Sequence, residues 1–140
     1  MNFLQNKINE LLSYDPFQMD HTIKKLLLIN IMKEQIIHHI KNCEKYKNWY
    51  FSNNFKAPEE ISEYQDIPFL PSSVFKLTSL KSIKNVKKIQ SSGTTSNNKS
   101  TVFIDKQTSI NQVKSLSKIL SSLLDGKKRN FYIIDVEPEK

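Results

Sequence analysis

Lys87-Lys88-Ile89-Gln90-Ser91-Ser92-Gly93-Thr94-Thr95-Ser96-Asn97-Asn98-Lys99-Ser100-Thr101-Val102-Phe103-Ile104 is the run from which the architecture is read. Apolar and β-branched residues flank it and predict strands near 86–90 and over 101–104. Between them lies a polar loop built around Gly93, one of only two glycines in the chain. Glycine lets a backbone take positive φ or approach a ligand closely. Successive amides in such a loop can form an anion-holding concavity. Ser91, Ser92, Thr94, Thr95 and Ser96 add neutral donors, and Lys99 adds a positive charge. Gly93, Asn98, Lys99 and Ser100 come near the spacing of a Walker loop. That motif needs a helix to start at its lysine, so that the helix N-terminus faces phosphate. Here a strand follows, which excludes it. A polar hairpin with no ligand stays open, because serine, threonine and asparagine also favour turns by bonding local backbone.

Downstream, Asp105 is the expected N-cap of a helix over about 106–124. Ile110, Val113, Leu116, Leu120, Leu123 and Leu124 form its apolar face, and Gly126 is its C-terminal stop. Lys127-Lys128-Arg129 then form a turn. Phe131-Tyr132-Ile133-Ile134-Asp135 reads as a strand of the kind buried in an α/β sheet. Upstream, lysines at 81, 84, 87 and 88 alternate with Ile83, Val86 and Ile89, a pattern read as a solvated face.

Residues 52–80 form a connector punctuated by Pro58, Pro68 and Pro71. Asp66-Ile67-Pro68-Phe69-Leu70-Pro71 is expected to be extended, over buried aromatics. Ser72 or Ser73 then caps a short turn of helix carrying Val74, Phe75 and Leu77. At the N-terminus, Phe3, Leu4, Ile8, Leu11 and Leu12 predict a helix over 3–13, ended by Asp15-Pro16. One longer helix is predicted from Asp20, its N-cap, to Phe51. Its stripe is Ile23, Leu26, Leu27, Met32, Ile36, Ile40, Cys43 and Tyr46. The predicted fold is therefore α/β: N-terminal helices followed by a partial sheet with one packed helix. It makes a single domain over 1–140. Residues 1–51 are its helical segment, 52–80 the connector, and 81–140 a β-loop-β-α-β segment holding the loop 91–100.

Composition narrows the function. The 140 residues suffice for one core, and 38% hydrophobic with 25% charged residues is ordinary for a globular domain. No apolar run approaches the length of a membrane span. The N-terminus lacks signal-peptide character, and the single cysteine, Cys43, suits a reducing cytoplasm. The net charge is +7, but of 21 basic residues all except Arg129 are lysines. Arginine is the usual bidentate reader of guanine and phosphate, so this charge does not point to a nucleic-acid reader. His39 and Cys43 sit four apart, yet a metal site needs three or four ligands, and His38 points away on a helix. A core cysteine beside a surface histidine is the reading of that pair. Nothing near Cys43 marks it as a nucleophile.

Ser91-Ser92-Gly93-Thr94-Thr95 between two strands resembles the phosphate-binding motif of adenylate-forming enzymes. Ile67-Pro68-Phe69-Leu70-Pro71, Val74-Phe75-Lys76, the loop, Asp105 with Thr108 and Gln112, and Tyr132-Ile133-Ile134-Asp135 together resemble the N-terminal region of LuxE-type acyl-protein synthetases, over about residues 30–135. In that family a fatty acid carboxylate attacks the α-phosphate of ATP, pyrophosphate leaves, and the acyl group of the adenylate passes to an enzyme cysteine. It then goes on to a reductase in bioluminescence. The resemblance implies that Ser91, Ser92, Gly93, Thr94, Thr95, Ser96 and Lys99 hold the outer phosphates of ATP with Mg2+. It implies ATP and fatty acid as partners, and an acyl-protein reductase or a missing C-terminal half. Ser96 stands where the motif usually has glycine, and Lys99 is the substitute for a downstream proline-lysine pair. The residues for adenine, the acyl chain, the metal carboxylate and the acceptor cysteine are expected beyond residue 140, so no catalytic residue is assigned and the chain alone is expected to be inactive. Two other classes stay open: a non-catalytic module that pairs with a separate chain, and a lysine-rich interaction or nucleic-acid-binding protein.

Overall fold

The computed structural model describes residues 3–91, 99–130 and 132. Its elements in chain order are α1 (Phe3–Ser13), α2 (His21–Asn42), α3 (Glu44–Ser52), α4 (Val74–Leu77), β1 (Lys87–Gln90), β2 (Thr101–Ile104) and α5 (Lys106–Leu123). Short 3-10 turns at Pro58–Glu60 and Tyr64–Asp66 lie in the connector. The described residues are thus helix-rich with one small antiparallel sheet, a mixed α/β arrangement. The strand expected over 131–135 falls outside the described residues except at Tyr132.

Local chemistry explains the helix starts. The Asp20 carboxylate accepts from the amides of Thr22 (2.9 Å) and Ile23 (3.0 Å), two of the donors a helix N-terminus leaves unpaired. Asp15 does the same for Phe17 and Gln18 in the turn that separates α1 from α2.

The long helix expected from Asp20 to Phe51 is two helices. Cys43 has φ −137° and ψ 100°, an extended residue that breaks the backbone between α2 and α3. Asn42 marks the break, since its side-chain amide bonds back to the His38 carbonyl at 2.7 Å and ties off the last turn. Cys43 is itself buried, and its amide still reaches the His39 carbonyl. The bend turns Tyr46 and Tyr50 of α3 onto the face that carries Ile29 and Ile36 of α2.

That face, closed by Ile61 from the connector, is the core. It differs from the expected stripe. Ile29, Ile31 and Ile36 are buried on α2, whereas Ile23 and Leu26 are exposed. In the connector, Ile61 is the fully buried residue, and Phe69, one of the aromatics expected to be buried, is exposed, as is Leu77. Ile67 and Leu70 pack against the core from the extended segment. Asp66 holds this connector in shape. Its carboxylate takes the Lys56 ammonium and the amides of Ser62 and Glu63 (3.0 Å each). Lys56 first, then those amides, hold its carboxyl well below the usual carboxylate range.

The hydrogen bonds of α5 run from its polar side. Lys118 donates to the carbonyls of Leu12 (2.8 Å) and Ser13 (2.6 Å), Asn111 exchanges hydrogen bonds with Gln5, and Ser122 donates to Asp15. The Lys118 ammonium therefore pairs the carbonyls that the end of α1 leaves unpaired. The opposite side, Val113, Leu116 and Leu123, remains exposed. The expected packing of that apolar face on the core is corrected accordingly: polar anchoring to α1 sets the rotation of the helix. Asp105 caps α5 by accepting from the Thr108 amide. Its end matches expectation: Gly126 has φ +66° and its amide bonds the Ser121 carbonyl at 2.8 Å, six residues closing the last turn.

Candidate functional site

The hairpin of β1 and β2 presents the polar loop. Lys87 pairs with Ile104 and Gln90 with Thr101, in antiparallel register. One step further, the Ser91 amide donates to the Ser100 carbonyl at 3.1 Å. The Ser100 amide in turn donates to the Ser91 hydroxyl at 3.1 Å. Ser91 and Ser100 thus lock the neck of the loop, and the Ser91 hydroxyl keeps its proton as a donor. Lys99 is exposed beside that neck. Ser92, Gly93, Thr94, Thr95 and Ser96 lie outside the described residues. Of the seven residues expected to contact phosphate, Ser91 and Lys99 are therefore the two placed, and both sit at the base of the loop.

Beside the hairpin is a cavity of about 660 Å³ that sequence reading did not find. It opens between α1, α2, the segment 80–86, β2 and the start of α5. Its apolar wall includes Leu4, Ile8, Leu70, Phe75, Leu80 and Ile83. Val102 and Phe103 of β2 complete that wall, two and three residues from Ser100 of the loop neck. A strand advances about 3.3 Å per residue, so the neck and the cavity share one short strand.

The polar groups of the cavity are mostly spoken for. His39 Nδ1 lies 2.6 Å from Ser82 Oγ, and its ring stands 5.5 Å from that of Tyr46. Burial first, and then His38, lower its pKa from the ordinary value of 6.5, so the ring is neutral at pH 7. The His38 and His39 rings meet edge to face at 5.6 Å, and both line the cavity. Adjacent residues on a helix can share a wall this wide, which corrects the expectation of a surface His39 with His38 pointing away. Cys43 is the buried cysteine expected, and it also reaches the cavity wall. Burial pushes the Tyr46 hydroxyl up to about 12, with Tyr50 adding to the shift. Asp105 is held by its capping bond to Thr108. Among the described residues, no three His, Cys, Asp or Glu side chains cluster as metal ligands.

Lys81 differs from the rest. It is exposed at the cavity rim, with Nζ 5.7 Å from the centre of the Phe103 ring, inside the range of a cation–π contact. Among the described residues it has no carboxylate partner. In the sequence it is one lysine of a solvated run. The apolar neighbours Leu80 and Ile83 were the available signal that this stretch of the run borders a cavity.

The family model for "Acyl-protein synthetase, LuxE" matches residues 3–140, and the chain belongs to that family. A long-chain-fatty-acid–luciferin-component ligase of Photorhabdus luminescens is 30% identical over 76 residues, covering 54% of this chain and 64% of that relative. The chain thus spans less than two thirds of the length of the curated relative it matches. No solved structure matches it. No helix among the described residues is long and apolar enough to cross a membrane.

Proposed function

We propose that this chain carries the phosphate-holding hairpin of an ATP-dependent acyl-protein synthetase, an enzyme that activates a long-chain fatty acid as its adenylate and passes the acyl group to a protein. The observation that supports this reading is the antiparallel hairpin closed at Ser91 and Ser100, with a strand rather than a helix following Lys99. The Ser-Ser-Gly-Thr-Thr run lies in sequence between those two strands, as in the adenylate-forming enzymes it resembles, and no helix starts at Lys99 as a Walker loop requires.

In this reading Ser91, Ser92, Gly93, Thr94, Thr95 and Ser96 offer neutral donors, and Lys99 a charge, to the outer phosphates of Mg-ATP. ATP supplies the leaving group of the activation step. Donors fixed in advance stabilise charge as it develops on departing oxygens. The hydrogen-bonded neck at Ser91 and Ser100 supplies that fixing at the base of the loop.

Two measurements test the reading. Mg-ATP binding to the purified chain is expected to be weak and to be abolished by Gly93→Val, whose branched side chain blocks positive φ and close approach. Fatty-acid-dependent exchange of pyrophosphate into ATP is expected to be absent from the chain alone. It should appear only when a second polypeptide carrying the remainder of an adenylating enzyme is added. Unchanged Mg-ATP binding in Gly93→Val would remove the loop from the mechanism.

A further inference from the structure

We infer that the cavity beside the hairpin is a binding site for the tail of a long-chain carboxylate, with Lys81 meeting the carboxylate at its mouth. The choice of a carboxylate ligand rests partly on the acyl-transfer reading above. The site itself rests on geometry. A cavity of about 660 Å³ is in the size range of small-molecule sites, and its wall is mostly apolar. Its interior polar groups are already paired or neutral: His39 with Ser82, Asp105 with the Thr108 amide, Gln5 with Asn111. An interior so arranged suits an uncharged chain rather than a polar ring.

The rim carries the opposite character. Lys81 is a cation poised over Phe103, with no carboxylate partner among the described residues. Among the described residues the one carboxylate in the lining, Asp105, is engaged in capping α5. An apolar pocket with an available cation at its edge complements an amphipathic anion. The position also makes sense for the reaction. Val102 and Phe103 in the wall belong to the strand that leaves the loop neck at Ser100, so a carboxylate at the mouth lies on the side of the hairpin. The acyl site expected wholly beyond residue 140 is thereby given a portion within this chain.

Calorimetric titration of the purified chain, without nucleotide, tests the inference. The probes are tetradecanoate below its micelle concentration, tetradecanol and hexanoate. Tetradecanoate is expected to bind with one-to-one stoichiometry and hexanoate at least tenfold more weakly. Lys81→Gln should weaken tetradecanoate about fivefold and leave tetradecanol unchanged, as expected for one rim charge. Ile83→Trp and Val102→Trp fill the cavity from exposed wall positions and should each weaken both long-chain probes at least tenfold. Circular dichroism confirms that each variant is folded, and the second tryptophan variant serves if the first is not. Leu116→Asp, on the exposed apolar side of α5, should change nothing. Binding that survives both tryptophan variants, or that is lost in Leu116→Asp, overturns the inference. Tetradecanoate binding that holds while Gly93→Val leaves Mg-ATP binding unchanged would instead sink the nucleotide reading and keep the cavity.

Discussion

Replacing Ile61 by alanine should destabilise the protein far more than replacing Leu26, although Leu26 belongs to the more conspicuous apolar run. Ile61 is 0% exposed and closes the core against Ile29, Ile36, Tyr46 and Tyr50. Alanine removes three buried carbons, at about 0.8 kcal/mol each, or about 2.4 kcal/mol of transfer free energy. The cavity left behind adds to this, for a total of about 3 kcal/mol, inside the range measured for such truncations. Leu26 is 60% exposed, so the same arithmetic applied to its covered portion gives about 1 kcal/mol at most, partly offset by the better helix propensity of alanine. Urea unfolding followed by circular dichroism reads the difference. With a slope of about 1–3 kcal/mol per molar, Ile61→Ala should lower the midpoint by about 1–3 M and Leu26→Ala by a few tenths. Equal shifts for the two variants would refute the assignment of the inward face of α2, and with it the position of the connector.

Three further outcomes follow from other contacts. His39 has a lowered pKa, so the unfolded chain binds a proton at higher pH than the folded one, and stability falls as pH drops below about 6.5, by up to about 1.4 kcal/mol per unit. The urea midpoint of the native chain should therefore fall between pH 7.5 and 5.5, well above the range where Asp15 and Asp66 take up protons, and His39→Gln should flatten that fall; an equal fall in the variant argues against a buried neutral imidazole. Gly126→Ala should cost about 1 kcal/mol, since a Cβ there meets nothing within 4 Å and only the left-handed backbone resists it, and Gly126→Asn should cost less by the same urea unfolding. Lys118→Met keeps the stem but removes the ammonium from the carbonyls of Leu12 and Ser13, so hydrogen exchange in α1 should speed up before that in α3; unchanged exchange in α1 would show the contact to be idle.

Much of the fold is legible in the sequence wherever a local signal acts alone. Asp20 and Asp105 announce helix starts because a short carboxylate beside free amides has few other uses. Gly126 announces a stop for the same kind of reason. The hairpin is legible because β-branched residues flank a polar run on both sides. The break at Cys43 is not, because apolar spacing continues across it and only Asn42 bonding back to His38 ends the helix. The buried side of α2 is misjudged because its first half is apolar nearly all round, and periodicity cannot choose among Ile23, Leu26 and Ile29. Distant Ile61 makes that choice. Beyond Leu80 and Ile83 within the lysine run, the cavity has no local signature, since its wall is assembled from five separated stretches.

The rotation of α5 shows how a strong pattern loses. Its leucines and valine form a clean amphipathic stripe, and burial of a stripe is worth about 25 cal/mol per Å² wherever a surface is there to cover it. Among the described residues the surface that meets α5 is α1 and the turn after it, which offer the Gln5 amide in the first turn of α1, the carbonyls of Leu12 and Ser13 at its end, and the Asp15 carboxylate just beyond. These groups call for Lys118, Ser122 and Asn111, which all lie on the polar side. Unpaired carbonyls of a helix end would cost more in contact with leucine than in contact with an ammonium. The cap at Asp105 fixes where α5 begins, and the anchoring to α1 fixes which side it turns inward. Gln107, Thr108 and Asn111 therefore stand at the cavity wall, and Asp105 follows directly on β2. The hydrogen bonds to α1 thus set both the exposed stripe and the shape of the cavity, and the strand between α5 and the loop neck ties that cavity to Ser91 and Lys99.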